Sequence, residues 1–142
     1  MVYPVNNIQF RVGINGRDSA AFEMATILDM ETFAISFDNG IETWNPLDQE
    51  GWVRRLMTSK SVSISVSGKR NYGNTGNDYV AGLAYENGEG ACSVLDVGFP
   101  DGSILRMPCV ISVTASDGGG ATDVAALEFE CLSDGRPEYM RM

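Results

Sequence analysis

Residues 61–67 read Ser-Val-Ser-Ile-Ser-Val-Ser, an alternation with a strict period of two. In an extended strand successive side chains point to opposite faces, so Val62, Ile64 and Val66 share one face and the serines take the other. A helix needs apolar residues every three or four positions and has no use for this pattern. The segment is therefore a strand with one apolar and one hydroxyl face, and a sheet must complete it.

The same test finds further strands. Phe33, Ile35 and Phe37 alternate ahead of Asn39-Gly40, a pair tolerant of positive φ that predicts a two-residue hairpin into the run 41–44. Leu95, Val97 and Phe99 share a face, after which Pro100-Asp101-Gly102 reverses the chain. The next strand carries Leu105, Met107, Cys109, Ile111 and Val113 inward, and Pro108, on its other side, predicts an edge position or a bulge. Asp117 with Gly118, Gly119 and Gly120 makes the following reversal. Residues 122–132 then place Ala125, Leu127, Phe129 and Cys131 inward and Glu128 and Glu130 outward. A weaker strand covers 8–12.

Residues 75–88 break the period of two, with Val80, Leu83 and Ala84 at helical spacing. They predict a short helix over about 76–86, with Thr75 and Asp78 as a capping box and Gly88 as the C-terminal cap. Gly82 weakens such a helix by about 1 kcal/mol relative to Ala, so it needs a sheet to pack on. The fold class expected is mainly β: a β-sandwich or barrel of two packed antiparallel sheets with one short flanking α-helix.

With 142 residues, 44% hydrophobic and 20% charged, the chain fits a single globular domain. It carries 19 acidic against 10 basic residues, a net charge of −9 and a pI near 4.3. Gripping a duplex requires clustered Lys and Arg to displace counterions, and here the bases are scattered from Arg11 to Arg141. Taken alone, the charge serves solubility. Cys92, Cys109 and Cys131 are widely spaced and read as small buried hydrophobes in a reducing compartment. Residues 1–7 lack the basic flank and apolar run of a signal peptide, and no run approaches the roughly 18 apolar residues of a membrane span.

Catalytic chemistry finds little to work with. There is no histidine, the usual general acid or base. Glu128 and Glu130 are two apart on a strand, a spacing far commoner on a solvated face than in a catalytic pair. No cysteine or acidic spacing suits zinc or calcium, and neither glycine-rich stretch precedes a Lys-Ser or Lys-Thr that would cradle phosphate. We expect no enzyme, no cofactor and no metal.

Three segments, taken in order, resemble a known family. They are residues 58–85 (TSKSVSISVSGKRNYGNTGNDYVAGLAY), the Phe-Pro-Asp-Gly turn at 99–102, and TDVAALEFE at 122–130, with ETWNPLDQEGW at 42–52 upstream. The series is similar to the major tail tube proteins of long-tailed, non-contractile (siphovirus-type) bacteriophages and prophages, over roughly the last 110 residues. Residues 1–30 match less and read as an N-terminal segment or arm. The resemblance implies one tail tube domain over 1–142, without a C-terminal immunoglobulin-like domain. It implies two packed sheets flanked by a helix, and rings of six subunits stacked into a tube through which DNA is ejected. The implied partners are further copies of the chain, a tape measure protein, a tail terminator and distal tip proteins. DNA would pass transiently, no membrane would be involved, and the place would be the virion tail, assembled in the host cytoplasm.

Within that resemblance the residues acquire roles. An acidic or neutral lining keeps DNA mobile, which makes Glu128 and Glu130, with Asp96, candidates for the channel; the tube exterior is the alternative placement. Trp44, Pro46, Leu47 and Trp52 form a candidate contact arm, since aromatic residues are enriched at interface cores; covering the domain's own core is the alternative. Arg70 and Tyr72, in the loop 70–76, are further interface candidates. Two other readings stand beside the tube: another tail component (terminator, tip or phage-like bacteriocin tube) and a carbohydrate-binding β-sandwich. The last needs an exposed aromatic platform, whereas the 2 Trp, 5 Tyr and 6 Phe here are expected mostly in the core.

Overall fold

The computed structural model describes residues 2–141; Met1 and Met142, the outermost residues of the expected 1–142 domain, lie outside the described residues. Among the described residues eight strands form: β1 (Gln9–Gly13), β2 (Met24–Thr26), β3 (Met30–Trp44), β4 (Arg54–Lys69), β5 (Cys92–Gly98), β6 (Ile104–Ser116), β7 (Ala126–Ser133) and β8 (Glu138–Met140). One α-helix, α1 (Thr75–Gly82), continues as a 3-10 turn over Leu83–Tyr85. The mainly-β class with one short helix is as expected. No helix among the described residues is long and apolar enough to cross a membrane.

All pairing is antiparallel and runs through one sheet in the order β2-β1-β5-β6-β7-β4-β3, with β8 added to β6. The two expected sheets are thus one continuous ladder that wraps over its own apolar face. β1 and β3 have four strands between them in that order, yet Phe10 and Phe33 meet edge to face with centroids 5.0 Å apart. Strand twist accumulates across a wide sheet, and rolling it up buries the inward rows of both ends together. Val62, Ile64 and Val66 of β4 are buried there with Leu95, Val97, Met107, Cys109, Ile111, Leu127, Phe129 and Cys131. Helix α1 closes the core with Val80 and Ala81, and Leu83 of the following turn joins them.

Four local expectations are corrected. Asn39-Gly40 makes no hairpin: β3 runs through it for 15 residues, with a bulge between Gly40 and Ile41. Neither residue adopts positive φ; the reversal comes later, where Glu50 (φ 52°) and Gly51 (φ 89°) supply it. The helix cap is Asn74 rather than Thr75, its side chain accepting from the Asn77 N–H, because Asp78 is engaged elsewhere. Gly88 is not the helix C-cap; it opens a separate 3-10 turn, Gly88–Ala91. Pro108, expected at an edge or a bulge, sits instead in an interior strand with no bulge at its position, at a tolerated place. β7 ends opposite Cys109 and β8 begins opposite Arg106, so Pro108 faces the gap between them and its carbonyl accepts from Asp134 N at 2.9 Å.

The two glycines of α1 should respond oppositely to alanine. A Cβ on Gly76 would lie 2.5 Å from the backbone oxygen of Thr26, whereas one on Gly82 meets nothing within 4 Å. Gly82→Ala should stabilise the protein by up to about 1 kcal/mol, while Gly76→Ala should destabilise it despite better helix propensity. Urea midpoints of the two variants check this.

Candidate assembly surfaces and channel face

β3 and β4 pair far beyond the rolled body of the domain. The ladder continues from Asp38↔Ser61 to Trp44↔Arg54, about 20 Å further at strand rise. Across 38–61 every residue is exposed except the half-buried Gly40 and Pro46. Large apolar side chains stand exposed along this arm: Phe37, Ile41, Trp44, Leu47, Trp52, Val53, Leu56 and Met57. A free two-stranded ribbon is marginal in water, and here both of its faces expose apolar side chains, with Met57 on one and Leu56 on the other. At the tip Pro46 leads into the 3-10 turn Leu47–Gln49. Leu47 is fully exposed, Trp52 is 75% exposed, and Trp44 lies under the Arg54 guanidinium at 5.7 Å. The structure therefore brings Trp44, Pro46, Leu47 and Trp52 together on one projection, away from the core. Beyond the arm, β3 pairs only with β4, so its other edge is unpaired among the described residues.

Arg70 and Tyr72 lie at the opposite end of β4. The Arg70 side chain is only 8% exposed and serves the fold. Its Nη1 donates to Asn77 Oδ1 (2.9 Å) and Asp78 Oδ1 (2.7 Å), and its guanidinium stacks 4.0 Å from the Tyr72 ring centroid. Tyr72 keeps an exposed ring, with its hydroxyl donating to Asp117. Asn77, fully buried, also accepts from Asn71 N and donates to the carbonyls of Leu28 and Lys69. The Arg70 hydrogen bond holds Asp78 below its ordinary value, and those from Tyr72 and Ser116 do the same for Asp117.

The outer face of β3, β4, β7 and β6 has a different chemistry. Thr32, Ala34, Ser36 and Asp38 of β3 face Ser67, Ser65, Ser63 and Ser61 of β4. Glu130 lies between Ser65 and Ser112, and Glu128 beside Ser67. Ser63 Oγ donates to Glu130 Oε1 at 2.7 Å. The centre of this face is hydroxylated and acidic; Leu132 stands beside Ser63, and Lys69, two residues beyond Ser67, is ion-paired with Glu31 at 3.3 Å. Asp96 is placed apart from them. It pairs across β5–β6 with Arg106, six residues before Ser112 along β6, or about 20 Å. There it is buried, its two oxygens accepting from Arg106 Nε and Nη2 at 2.8 Å each.

One expectation about aromatic residues is overturned. Tyr3, Phe22, Phe37, Trp44, Trp52, Tyr72, Tyr85 and Tyr139 are exposed, so most aromatics lie outside the core. The aromatic pairs among the described residues are Phe10 with Phe33 and Phe99 with Tyr139. No group of three or more Cys, Asp or Glu among the described residues is placed to hold a metal ion.

No protein-family model matches the chain, and no curated protein matches its sequence. Similarity appears at the level of the fold. A chain from the tail of an empty GTA particle, solved with C6 symmetry, gives a TM-score of 0.76 at 20% identity, covering 98% of this chain and 99% of that one. A chain from the virion of a native gene transfer agent particle gives 0.72 at 19% identity, over 98% and 99%. A third, from the sheath–tube complex of an extracellular contractile injection system in its extended state, gives 0.58 at 18% identity, over 99% and 93%. The likeness establishes a fold shared with these chains that runs through almost the entire length of this one.

The Arg70 cluster has a pH signature. A carboxylate whose folded value is depressed contributes stability above its unfolded value and loses it as the pH falls through the folded one. For Asp78 and Asp117 that loss begins below the ordinary value of 3.8. Arg70→Gln should lower stability at neutral pH and flatten the part of the acid limb that Asp78 supplies, while the part from Asp117, set chiefly by Tyr72 and Ser116, remains. Urea titrations at several pH values measure both effects.

Proposed function

We propose that this chain is the repeating subunit of a tail tube of the non-contractile bacteriophage type, stacked as six-membered rings around a channel for DNA. The observation that carries the reading is the fold likeness, over 98% of the chain, to a subunit of a tail with C6 symmetry. The non-contractile assignment rests on the sequence resemblance over residues 42–130.

Two surfaces support it physically. A conduit must enclose DNA without holding it, because a basic lining would exchange counterions for phosphates at many points along the duplex. The hydroxyl and carboxylate face bearing Glu128 and Glu130 is the proposed lumen, consistent with the net charge of −9. Asp96, buried and paired with Arg106, contributes no free charge to that face. The arm, with Trp44, Pro46, Leu47 and Trp52, is the proposed contact between subunits. Tyr72, braced by Arg70, is a second contact near the opposite end of β4. Weak contacts repeated around a ring act together, so dilute protein stays monomeric until a tail tip or high concentration starts growth. A tape measure protein, a terminator and distal tip proteins complete the partner set, and the virion tail is its place.

Negative-stain microscopy of the concentrated protein tests the reading. Long hollow tubes are expected; single closed rings would identify a terminator instead, and the absence of any assembly would overturn the proposal. Trp52→Ala should abolish polymerisation while circular dichroism stays unchanged, since the side chain is exposed and outside the core. Replacing Glu128 and Glu130 by Lys should leave tubes intact and slow genome ejection; unaltered ejection kinetics would contradict the lumen assignment.

A further inference from the structure

A groove of about 930 Å³ opens at the base of the arm, between β3, β4 and the C-terminal strand β8. Its walls are apolar: Ile35, Phe37, Val62, Leu105, Pro137 and Tyr139. Tyr139 is held in place, tilted against Phe99 at 6.2 Å and hydrogen-bonded through its hydroxyl to Ser103 at 3.0 Å. The groove thus has one wall set in advance, which lowers the ordering cost of binding. Its rim carries two cations, Lys60 and Arg136, in a chain with only 10. The arm tip is the converse object. Residues 45–53 present Leu47 and Trp52 to solvent, carry Asp48 and Glu50, and contain no base.

We propose that the arm tip of one copy seats in this groove of the next copy. The contact rests on the tube reading for its repetition, and on shape and charge for its specificity. Intramolecular seating is ruled out by the ladder. Phe37 and Lys60 line the groove at the arm's base, and pairing continues unbroken past them to Trp44↔Arg54. The tip therefore projects about 20 Å away from its own groove. Charge selects tip-to-groove over tip-to-tip: the latter would bring Asp48 and Glu50 against their own copies, a juxtaposition that costs free energy. Leu47 and Trp52 would enter the apolar space while the two carboxylates meet Lys60 and Arg136 at the rim. The two patches differ, so the contact is heterologous; each copy offers one tip and one groove, and the association propagates.

Mixed cross-linking of full-length chains tests the contact. In a Cys92→Ser background, where Cys109 and Cys131 are buried, Gln49→Cys and Arg136→Cys are made separately and mixed under mild oxidation. The expected result is a disulfide-linked dimer containing one of each, absent from either variant alone. A mixture yielding no more dimer than the separate variants overturns the proposal, as does Gln49→Cys dimerising equally well by itself. A second readout is the onset of polymerisation. Lys60→Glu with Arg136→Glu should delay it about tenfold, and adding Asp48→Lys with Glu50→Lys should restore it; no restoration also counts against the contact. Wild-type tubes without the mixed cross-link would overturn this contact and leave the tube reading standing. The mixed cross-link without tubes would do the reverse.

Discussion

Asn77 holds together the part of the molecule from which the rest is measured. It has no exposed surface, and its side-chain amide uses its full capacity, two bonds accepted at Oδ1 and two donated from Nδ2. Those bonds reach the end of β4, the loop after it and the β2–β3 linker, while its own N–H is tied to the Asn74 cap. One buried residue therefore fixes where β4 stops. β4 is the strand that pairs with both β3 and β7, and its register decides which face carries serine and which carries valine. A slip of one residue would exchange the two. Close backbone approach reinforces the same point: Gly68 lies against Asp29 and Met30 with no room for a Cβ.

That node explains a motif that was legible only as a likeness. Gly-Lys-Arg, a glycine-containing loop and Asn-Asp-Tyr stand in series at 68–79, and nothing in their periodicity announces a purpose. In the fold, Gly68 permits the approach, Arg70 reaches Asn77 and Asp78, and Asn74 caps the helix between them. The core was readable because period two is a local consequence of strand geometry: Val62, Ile64, Val66, Leu127, Phe129 and Cys131 all point inward as their alternation requires. What was not readable depends on distant partners. Asn39-Gly40 favours a turn locally, but a strand of 16 residues lies alongside and carries the pairing past it. The three-residue strands β2 and β8 have no pattern of their own and exist only because β1 and β6 offer edges. The exposed aromatics lie outside the single-chain core, so inward alternation does not account for them.

The candidate site was legible in parts. The tip residues cluster as their shared loop suggested, and Glu128 and Glu130 lie opposite the core as alternation demanded. Asp96 looked equivalent from sequence, since it too lies opposite the core on its strand. It differs because Arg106 is directly across the ladder, a fact that only register supplies. The outcome is a subunit whose proposed lumen is built from short side chains on rigid strands, and whose proposed contacts are built from bulky ones on a projection. Smoothness and adhesion are assigned to separate parts of one sheet.

The arm's independence from the core has a consequence for how such a chain can vary. No side chain of 38–61 is fully buried, so the rolled body does not depend on how long the ribbon is. Residues can be added or removed there without repacking the interior. Only changes of two per strand keep each side chain on its own face, and each such change alters the reach by about 7 Å. Lineages of this subunit should therefore differ in arm length by even steps, like notches on a ratchet, while the barrel they spring from stays constant.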